Sequence, residues 1–305
     1  MNPQSPVFSI VIPTYNRPER LTTCLQSIAQ LNYPCDRFEV IVVDDGSEAP
    51  LSSTVSEFEP QIQITLIRQT NAGPASARNT GANHAAGRFL VFTDDDCCVA
   101  PNYLEALEQY FTSAPDRLVG GQTLNALPDN LFSTASQTLI NYLYCYYNAK
   151  SDGAFFFASN NFAMPTEQFR SLGGFSTAFS LAAGEDREFC DRWLHHGYQM
   201  SYAPEVKIYH AHKLTLRSFW RQHFNYGRGA FCFHQVRADR LQTGIKVEPF
   251  SFYSKLFSYP FAVALPDQAV SLVMLLFVSQ VANVAGFFWE RSRHLDKQIQ
   301  VDVIS

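Results

Sequence analysis

Phe8-Ser9-Ile10-Val11-Ile12-Pro13 is a short apolar run closed by proline, the pattern of a buried strand. Over residues 18–30, Leu21, Leu25 and Ile28 recur at helical spacing, and Pro18 suits a first helical turn. Residues 38–43 predict a second strand, with Asp44-Asp45-Gly46-Ser47 at its exit. Residues 62–67 alternate as a third strand would, and the small-residue-rich stretch 74–86 predicts a helix. Arg88-Phe89-Leu90-Val91-Phe92 then reads as a buried strand that delivers Asp94-Asp95-Asp96 at its end. Strands alternating with helices predict an α/β fold with a doubly wound, mainly parallel sheet. Such sheets bind ligands at the carboxyl ends of their strands. Tyr15, Asp44-Asp45 and Asp94-Asp95-Asp96 all fall at such ends.

The strand pattern lapses over residues 125–153, where Tyr142, Tyr144, Tyr146 and Tyr147 crowd one stretch. Either an inserted helix beside a ligand cleft or a core helix accounts for it. Phe155-Phe156-Phe157 and Ser159-Asn160-Asn161 follow, then a helix over 165–172 and a break at Gly173-Gly174-Phe175. A further helix starts near Glu185 and buries Phe189, Trp193 and Leu194. Tyr209-His210-Ala211-His212 ends a short strand.

The end of the chain differs in kind. Residues 250–265 are aromatic and apolar with Lys255 as the one charge, and residues 268–289 carry none. That length suffices for a membrane span, although Ser271, Ser279, Gln280 and Asn283 interrupt it. Arg291, Arg293 and Lys297 would favour a cytosolic end. A single crossing cannot put that end and a cytosolic preceding domain on the same side. A hairpin with residues 250–265, or helices lying in the membrane interface, resolves the conflict. A dimer interface, or a terminal helix packed on the domain, fits the composition equally well.

Composition narrows the partners. The net charge of −5 does not suit a nucleic-acid binder. A basic, aromatic-rich stretch holds Lys207, Lys213, Arg217, Arg221, Arg228, Arg237, Arg240 and Lys246 against Asp239, and suits acidic lipid or phosphate. The seven scattered cysteines form no CxxC pair, so neither a zinc site nor a disulfide framework is expected, and a reducing cytosol is. Residues 1–7 lack the pattern of a signal peptide. The expected setting is cytoplasmic, at or near the cytosolic face of a membrane.

Adjacent carboxylates repel one another and lose hydration, so a triplet such as Asp94-Asp95-Asp96 suits a hard divalent ion that holds a diphosphate. A solvated turn capping the next helix is the alternative for the triplet taken alone. Four blocks stand in order: Ser9-Ile10-Val11-Ile12-Pro13-Thr14-Tyr15-Asn16-Arg17, Val42-Val43-Asp44-Asp45-Gly46-Ser47, Asn71-Ala72-Gly73-Pro74-Ala75-Ser76-Ala77-Arg78-Asn79, and Asp94-Asp95-Asp96 with Pro101 beyond. Together they resemble the inverting glycosyltransferases of family two, which have the GT-A fold, from about residue 8 to 228.

The resemblance implies a catalytic domain over 1–240, with a nucleotide half to about 124 and an acceptor half after it. Residues 241–305 would be membrane-associating or oligomerising helices. It implies transfer of a sugar from a nucleotide diphosphate, UDP preferred, to a hydroxyl of a glycan or lipid-linked acceptor in surface polysaccharide or glycoconjugate synthesis. Pro13, Tyr15 and Arg17 would line the nucleotide pocket, Tyr15 against the base. Asp44 would accept from the base imide, and Asp45 would either bind or cap the next helix. Arg78 would offset Asp44 or the diphosphate, unless it makes a structural salt bridge.

Asp96 would bind Mn²⁺ or Mg²⁺ directly, with Asp94 or Asp95 reaching the ribose or sugar. His210 could complete the metal shell, and His212 is the second candidate. Gly184-Glu185-Asp186 resembles the family's Glu-Asp motif, which makes Asp186 the base and Glu185 a positioning group on the sugar side. Asn161 would contact a sugar hydroxyl or cap a turn. The Gln-x-x-Arg-Trp signature of processive synthases is missing from Phe219-Trp220-Arg221-Gln222-His223-Phe224, so one sugar per encounter is expected. Nucleotidyl transfer and a non-catalytic sugar-nucleotide-binding subunit remain as alternatives. A dinucleotide dehydrogenase is the least favoured alternative, as no GxGxxG follows the first strand.

Overall fold

A computed structural model describes residues 5–148, 153–179, 183–242, 244 and 248–304, the last nine of these by backbone alone. In chain order the elements are β1 (Phe8–Thr14), α1 (Pro18–Ala29), β2 (Phe38–Asp44), α2 (Ser52–Ser56), β3 (Ile64–Arg68), α3 (Pro74–His84), β4 (Phe89–Phe92) and β5 (Cys97–Val99). Next come α4 (Tyr103–Ser113), β6 (Leu118–Asn125), α5 (Leu131–Asn148), β7 (Phe162–Pro165), α6 (Thr166–Ser171), α7 (Glu185–His195) and β8 (Met200–His210). Three helices close the chain: α8 (Leu216–Leu241), α9 (Phe250–Val263) and α10 (Pro266–Ile304).

The eight strands form one sheet in the order β3-β2-β1-β4-β7-β6-β8-β5. Strands β3, β2, β1 and β4 are parallel, as the alternation of strands and helices predicts. The remaining half is mixed. β7 runs antiparallel to both β4 and β6, β6 is parallel to β8, and β5 is antiparallel to β8. β8 is an eleven-residue strand rather than a short one.

Burial explains the parallel half. Every residue of β1 and β2 is buried, which requires cover on both faces. Alternate side chains divide accordingly. Phe8, Ile10, Ile12, Val40, Val42 and Val91 join Leu21 and Leu25 of α1 on one face. Val11, Ile41, Val43, Leu90 and Phe92 join Ala77 of α3 and Phe189 and Trp193 of α7 on the other. The small residues of α3 let that helix lie close against the sheet, so its one long buried side chain, Arg78, reaches the end of β4.

The tail packs on the domain along one face. A Cβ at Gly227 of α8 would collide with the Asn283 carbonyl of α10, and one at Gly286 with the Phe224 carbonyl, so the two backbones touch. Arg228 and Glu290 pair beside that crossing at 2.5 Å. α9 leans on α5, where the Tyr142 hydroxyl donates to the Phe252 carbonyl at 2.6 Å. The opposite face of α10 is apolar and exposed. Within Pro266–Leu295 an 18-residue window has a mean hydropathy of 1.9, so the helix is long and apolar enough to cross a membrane by length and composition.

The basic stretch is less free than composition suggests. Arg228, Arg237 and Arg240 are taken up by Glu290, Asp191 and Glu188. Lys246 lies outside the described residues.

Candidate active site

The carboxyl ends of β1 and β4 and the amino end of α7 open onto one cleft of about 1190 Å³. Pro13 and the half-exposed Tyr15 line it at the end of β1. Asn16 holds the turn with a left-handed φ of 56°, its amide oxygen accepting from the Glu48 N–H at 2.8 Å. Asparagine tolerates that backbone region better than most residues.

The two aspartates ending β2 separate. Asp44 does not line the cleft. It is 1 % exposed, accepts from the Ser47 N–H at 2.8 Å and faces Arg68 at 3.7 Å. Asp45 lines the cleft instead, and it shapes the opposite wall: Oδ1 accepts from Ala72 N–H and the Gln69 amide, Oδ2 from Gly73 N–H. Asp44 is thus held by its own turn and by Arg68, apart from the residues that line the cleft, and Asp45 holds the loop at residues 69–73 rather than capping the helix that follows.

The three carboxylates of the triplet also differ. Asp95 turns inward, accepting from the Thr14 hydroxyl at 2.8 Å and from Arg17 at 3.2 Å. Burial, reinforced by the neighbouring Asp96 charge, raises its pKa to about 6. Asp96 meets Arg20 at 2.9 Å and His210 Nε2 at 3.2 Å. Burial alone would raise its pKa, but hydrogen bonding and charge from His210 outweigh that and hold it well below the usual carboxylate range. Asp94, the most exposed of the three, accepts from Arg78 Nη2 at 2.7 Å.

Arg78 continues from Asp94 to Glu185, whose Oε1 lies 3.2 Å from Nη1. The guanidinium thus serves Asp94 and Glu185, not Asp44. Glu185 is almost fully buried, and its Oε2 has no hydrogen-bond partner. Burial first, and then the Asp186 charge, lift its pKa to about 7. Asp186 accepts from the Arg187 N–H at 2.7 Å, and burial likewise raises its pKa. Both acids sit at the start of α7, in the loop that rests on α8 where Gly184 and Ala183 abut Gly229.

Asn161 is a core residue and lines no part of the cleft. Its amide accepts from the Tyr103 hydroxyl and donates to the Gln122 and Val206 carbonyls, closing the β6–β8 bulge. Its neighbour Asn160 does line the cleft, and its buried Oδ1 has no partner. His210 and His212 line the cleft as well, with ring centroids 5.0 Å apart. Burial and then the His210 charge push His212 down to about 4.

Arg20 and Arg187 are site residues not anticipated from the sequence, and of the pair Asn160-Asn161 the sugar contact was expected of Asn161. Arg20 was findable, since it lies in the first turn of α1, three residues after the N-cap Arg17. No pattern signals Arg187.

The mixed sheet and the acid-lined cleft at its parallel half define a GT-A fold. The chain belongs to glycosyl transferase family 2, whose model matches residues 9–173. A model described as the N-terminal domain of galactosyltransferase matches residues 144–214. Glycosyltransferase AglE of Haloferax volcanii is 32 % identical over 127 residues, which are 41 % of this chain and 41 % of that relative. The chain therefore spans well under half the length of that relative. Among solved structures, mannosyltransferase PcManGT from Pyrobaculum calidifontis, in complex with GDP-Man and Mn²⁺, superposes with a TM-score of 0.61 at 21 % identity, covering 94 % of this chain and 84 % of that one. TarS 1-349 of S. aureus, in complex with UDP-GlcNAc, gives 0.52 at 18 % identity, covering 95 % and 92 %.

Proposed function

We propose that the chain is a metal-dependent, inverting glycosyltransferase that moves one sugar per encounter from a nucleoside-diphosphate donor to a hydroxyl of a glycan or lipid-linked acceptor. The observation that carries this is the convergence of Asp94-Asp95-Asp96, Arg78 and Glu185-Asp186 on one cleft. The family supports the reaction class. The solved relatives hold different nucleotides, GDP-Man in one and UDP-GlcNAc in another. Asp44 does not line the cleft, so the preference for UDP rests on the family resemblance and on the UDP-GlcNAc-bound relative, and the choice of base is left to experiment.

The donor set fits a hard divalent ion. Ligand atoms of Asp96, Cys97 and His210 lie within 4.8 Å of one another. Burial keeps the Cys97 thiol neutral, which leaves Asp96 and His210, with Asp94 beside them, to hold Mn²⁺ or Mg²⁺. When bound, the ion supplies positive charge against the leaving diphosphate. Tyr15 offers its ring to the base, and Asp45 braces the facing wall.

Asp186 takes the proton from the acceptor hydroxyl as that oxygen bonds to the anomeric carbon. The carbon–oxygen bond to the diphosphate breaks on the opposite face, and its electron pair leaves with the nucleoside diphosphate. Glu185, held by Arg78, fixes the start of α7 and so the position of Asp186.

Residues 1–240 carry this chemistry. Residues 241–305 would hold it at the cytosolic face of a membrane. α10 lies along α8, so full insertion would drag Arg217, Arg221 and Arg228 toward hydrocarbon, each costing several kcal/mol by insertion scales of about 2.5–3.5 kcal/mol. Helices lying in the interface avoid that cost.

Purified protein with UDP-, GDP- and dTDP-sugars and Mn²⁺ should release nucleoside diphosphate. Pyrophosphate release would point to nucleotidyl transfer. Unchanged turnover in Asp186→Asn would remove the assigned base.

A further inference from the structure

The cleft exceeds what a donor alone requires. Sites for single small molecules occupy roughly 300–1,000 Å³, against about 1190 Å³ here. Beyond Glu185 and Asp186 its lining passes to α5, α8, α9 and α10: α8 contributes polar groups such as Arg221 and Gln222, while Leu143, Phe252, Val284, Phe287 and Phe288 form an apolar strip from α5, α9 and α10.

Two of those residues connect the cleft to the outside. On α10, Val270, Met274, Phe277, Val281, Val284 and Phe288 recur at alternating steps of four and three, and each is between 42 % and 65 % exposed. A mean step of about 3.5 keeps such positions in a nearly straight stripe along a helix. Val284 and Phe288 belong to the stripe and also to the cleft wall. An apolar track on the surface therefore runs without interruption into the site.

Arg187 stands at the inner end of that track, directly after Asp186. Its guanidinium is 4.7 Å from the Phe233 ring centroid and 5.6 Å from that of Tyr147, and it donates to the Tyr147 hydroxyl at 3.3 Å. Arg192, Arg228 and Arg240 are taken up by carboxylates, whereas Arg187 makes no ion pair among the described residues. Rings that hold the flat faces of a guanidinium leave its N–H edge for an anionic ligand.

We infer that the acceptor is amphiphilic: a glycan joined through phosphate to a long hydrocarbon chain. Its sugar hydroxyl meets Asp186, its phosphate meets Arg187, and its chain lies along the α10 stripe. This deepens the transfer proposed above and rests on it. The bonds made and broken are those already given. A neutral soluble glycan would leave Arg187 without a partner, and free phosphate would bring no chain to the part of the stripe that lines the cleft.

The test titrates the full chain, saturated with Mn²⁺ and UDP or GDP, with farnesyl phosphate, farnesol and inorganic phosphate. Farnesyl phosphate should bind at least ten-fold tighter than either of the other two. Arg187→Gln should weaken farnesyl phosphate at least ten-fold. Met274→Ser and Phe288→Ser, both at exposed positions that a folded chain tolerates, should each weaken it several-fold without altering the response to inorganic phosphate.

If nucleotide binds and farnesyl phosphate is no tighter than inorganic phosphate, this inference fails while the transfer stands. The same holds if Arg187→Gln matches the wild type. Loss of all nucleotide binding in the wild type would bring down both. A dimer in light scattering that Phe277→Glu dissociates, with farnesyl phosphate affinity unmoved, would make the stripe a seam between two copies and overturn the acceptor assignment.

Discussion

Arg78 Nη1 and Glu185 Oε1 lie 3.2 Å apart although 107 residues separate them in the chain. Both side chains are buried, and the same guanidinium reaches Asp94 at 2.7 Å. One cation therefore ties the acidic end of β4 to the helix that presents the proposed base. Breaking a buried pair by removing one partner costs about 3–5 kcal/mol. Arg78→Met should lose that much in urea unfolding. Donor turnover should fall about 100-fold, the size of effect that a misplaced catalytic group produces. Arg78→Lys keeps the charge but not the fork, so it should recover only part of either loss.

The acid pair at the start of α7 should set the acidic limb of the rate profile. Proton abstraction needs Asp186 ionised, and burial raises its pKa, while burial and then the Asp186 charge lift Glu185 to about 7. Activity should therefore climb from acid pH along a limb displaced upward from the ordinary carboxylate range. Glu185→Gln removes the neighbouring negative charge, so the limb should move to lower pH even where the rate is reduced. Stability runs the other way. A carboxyl whose pKa rises from 4.5 to about 7 on folding contributes stability that is complete below 4.5 and is lost as pH rises through about 7. Melting temperature followed from pH 5 to 8 should show that decline, flattened in Glu185→Gln.

Asp96 and His210 should govern metal affinity. Manganese titration followed by electron paramagnetic resonance, with UDP or GDP present, should show binding at least ten-fold weaker in Asp96→Asn than in the wild type. His210→Ala should lose less, since it leaves both carboxylates, Asp96 and Asp94, to hold the ion. Chelation of divalent ions should stop turnover reversibly. Full turnover in excess chelator would remove the metal from the mechanism.

Asp44 and Asp45 should fail in different assays. Asp44→Asn weakens a charged acceptor for the Ser47 N–H and for Arg68, and should cost about 1–3 kcal/mol in denaturant. Asp45→Asn loosens the wall at residues 69–73 and should raise the dissociation constant for nucleotide several-fold. Isothermal titration of nucleotide against both variants separates the two roles.

The contact between α8 and α10 should tolerate no added methyl. Gly227→Ala drives a Cβ into the Asn283 carbonyl, and overpacking of this kind costs about 1–3 kcal/mol. Its melting temperature should drop, and limited proteolysis should cut α10 earlier than in the wild type. Ala substitution at exposed Met274 is the control and should leave both measurements unchanged.

Much of the fold was legible because β1, β2 and β4 are buried on both faces, which forces apolar runs that few other structures require. The triplet at the end of β4 was legible because three adjacent carboxylates are costly without a purpose. The mixed half was not, since β7 is only four residues long and β8 carries polar residues along its bulged edge. Composition also left the tail undecided, because an apolar helix looks the same against a membrane, a second copy or its own domain. The docking of α10 on α8 depends on Gly227 and Gly286, with Arg228 and Glu290 pairing beside them, and no local pattern marks these residues as partners.

The chain by itself determined the family, the parallel half of the sheet and the stretches from which acidic groups would gather. Only the tertiary structure decided which member of each adjacent pair does so: Asp45 rather than Asp44, Asn160 rather than Asn161. Successive residues at a strand end point to opposite sides, and two identical neighbours carry nothing in their chemistry to say which side holds the cleft. That choice belongs to the packing of α3, α7 and α8 around the site, which long-range contacts set and local pattern does not.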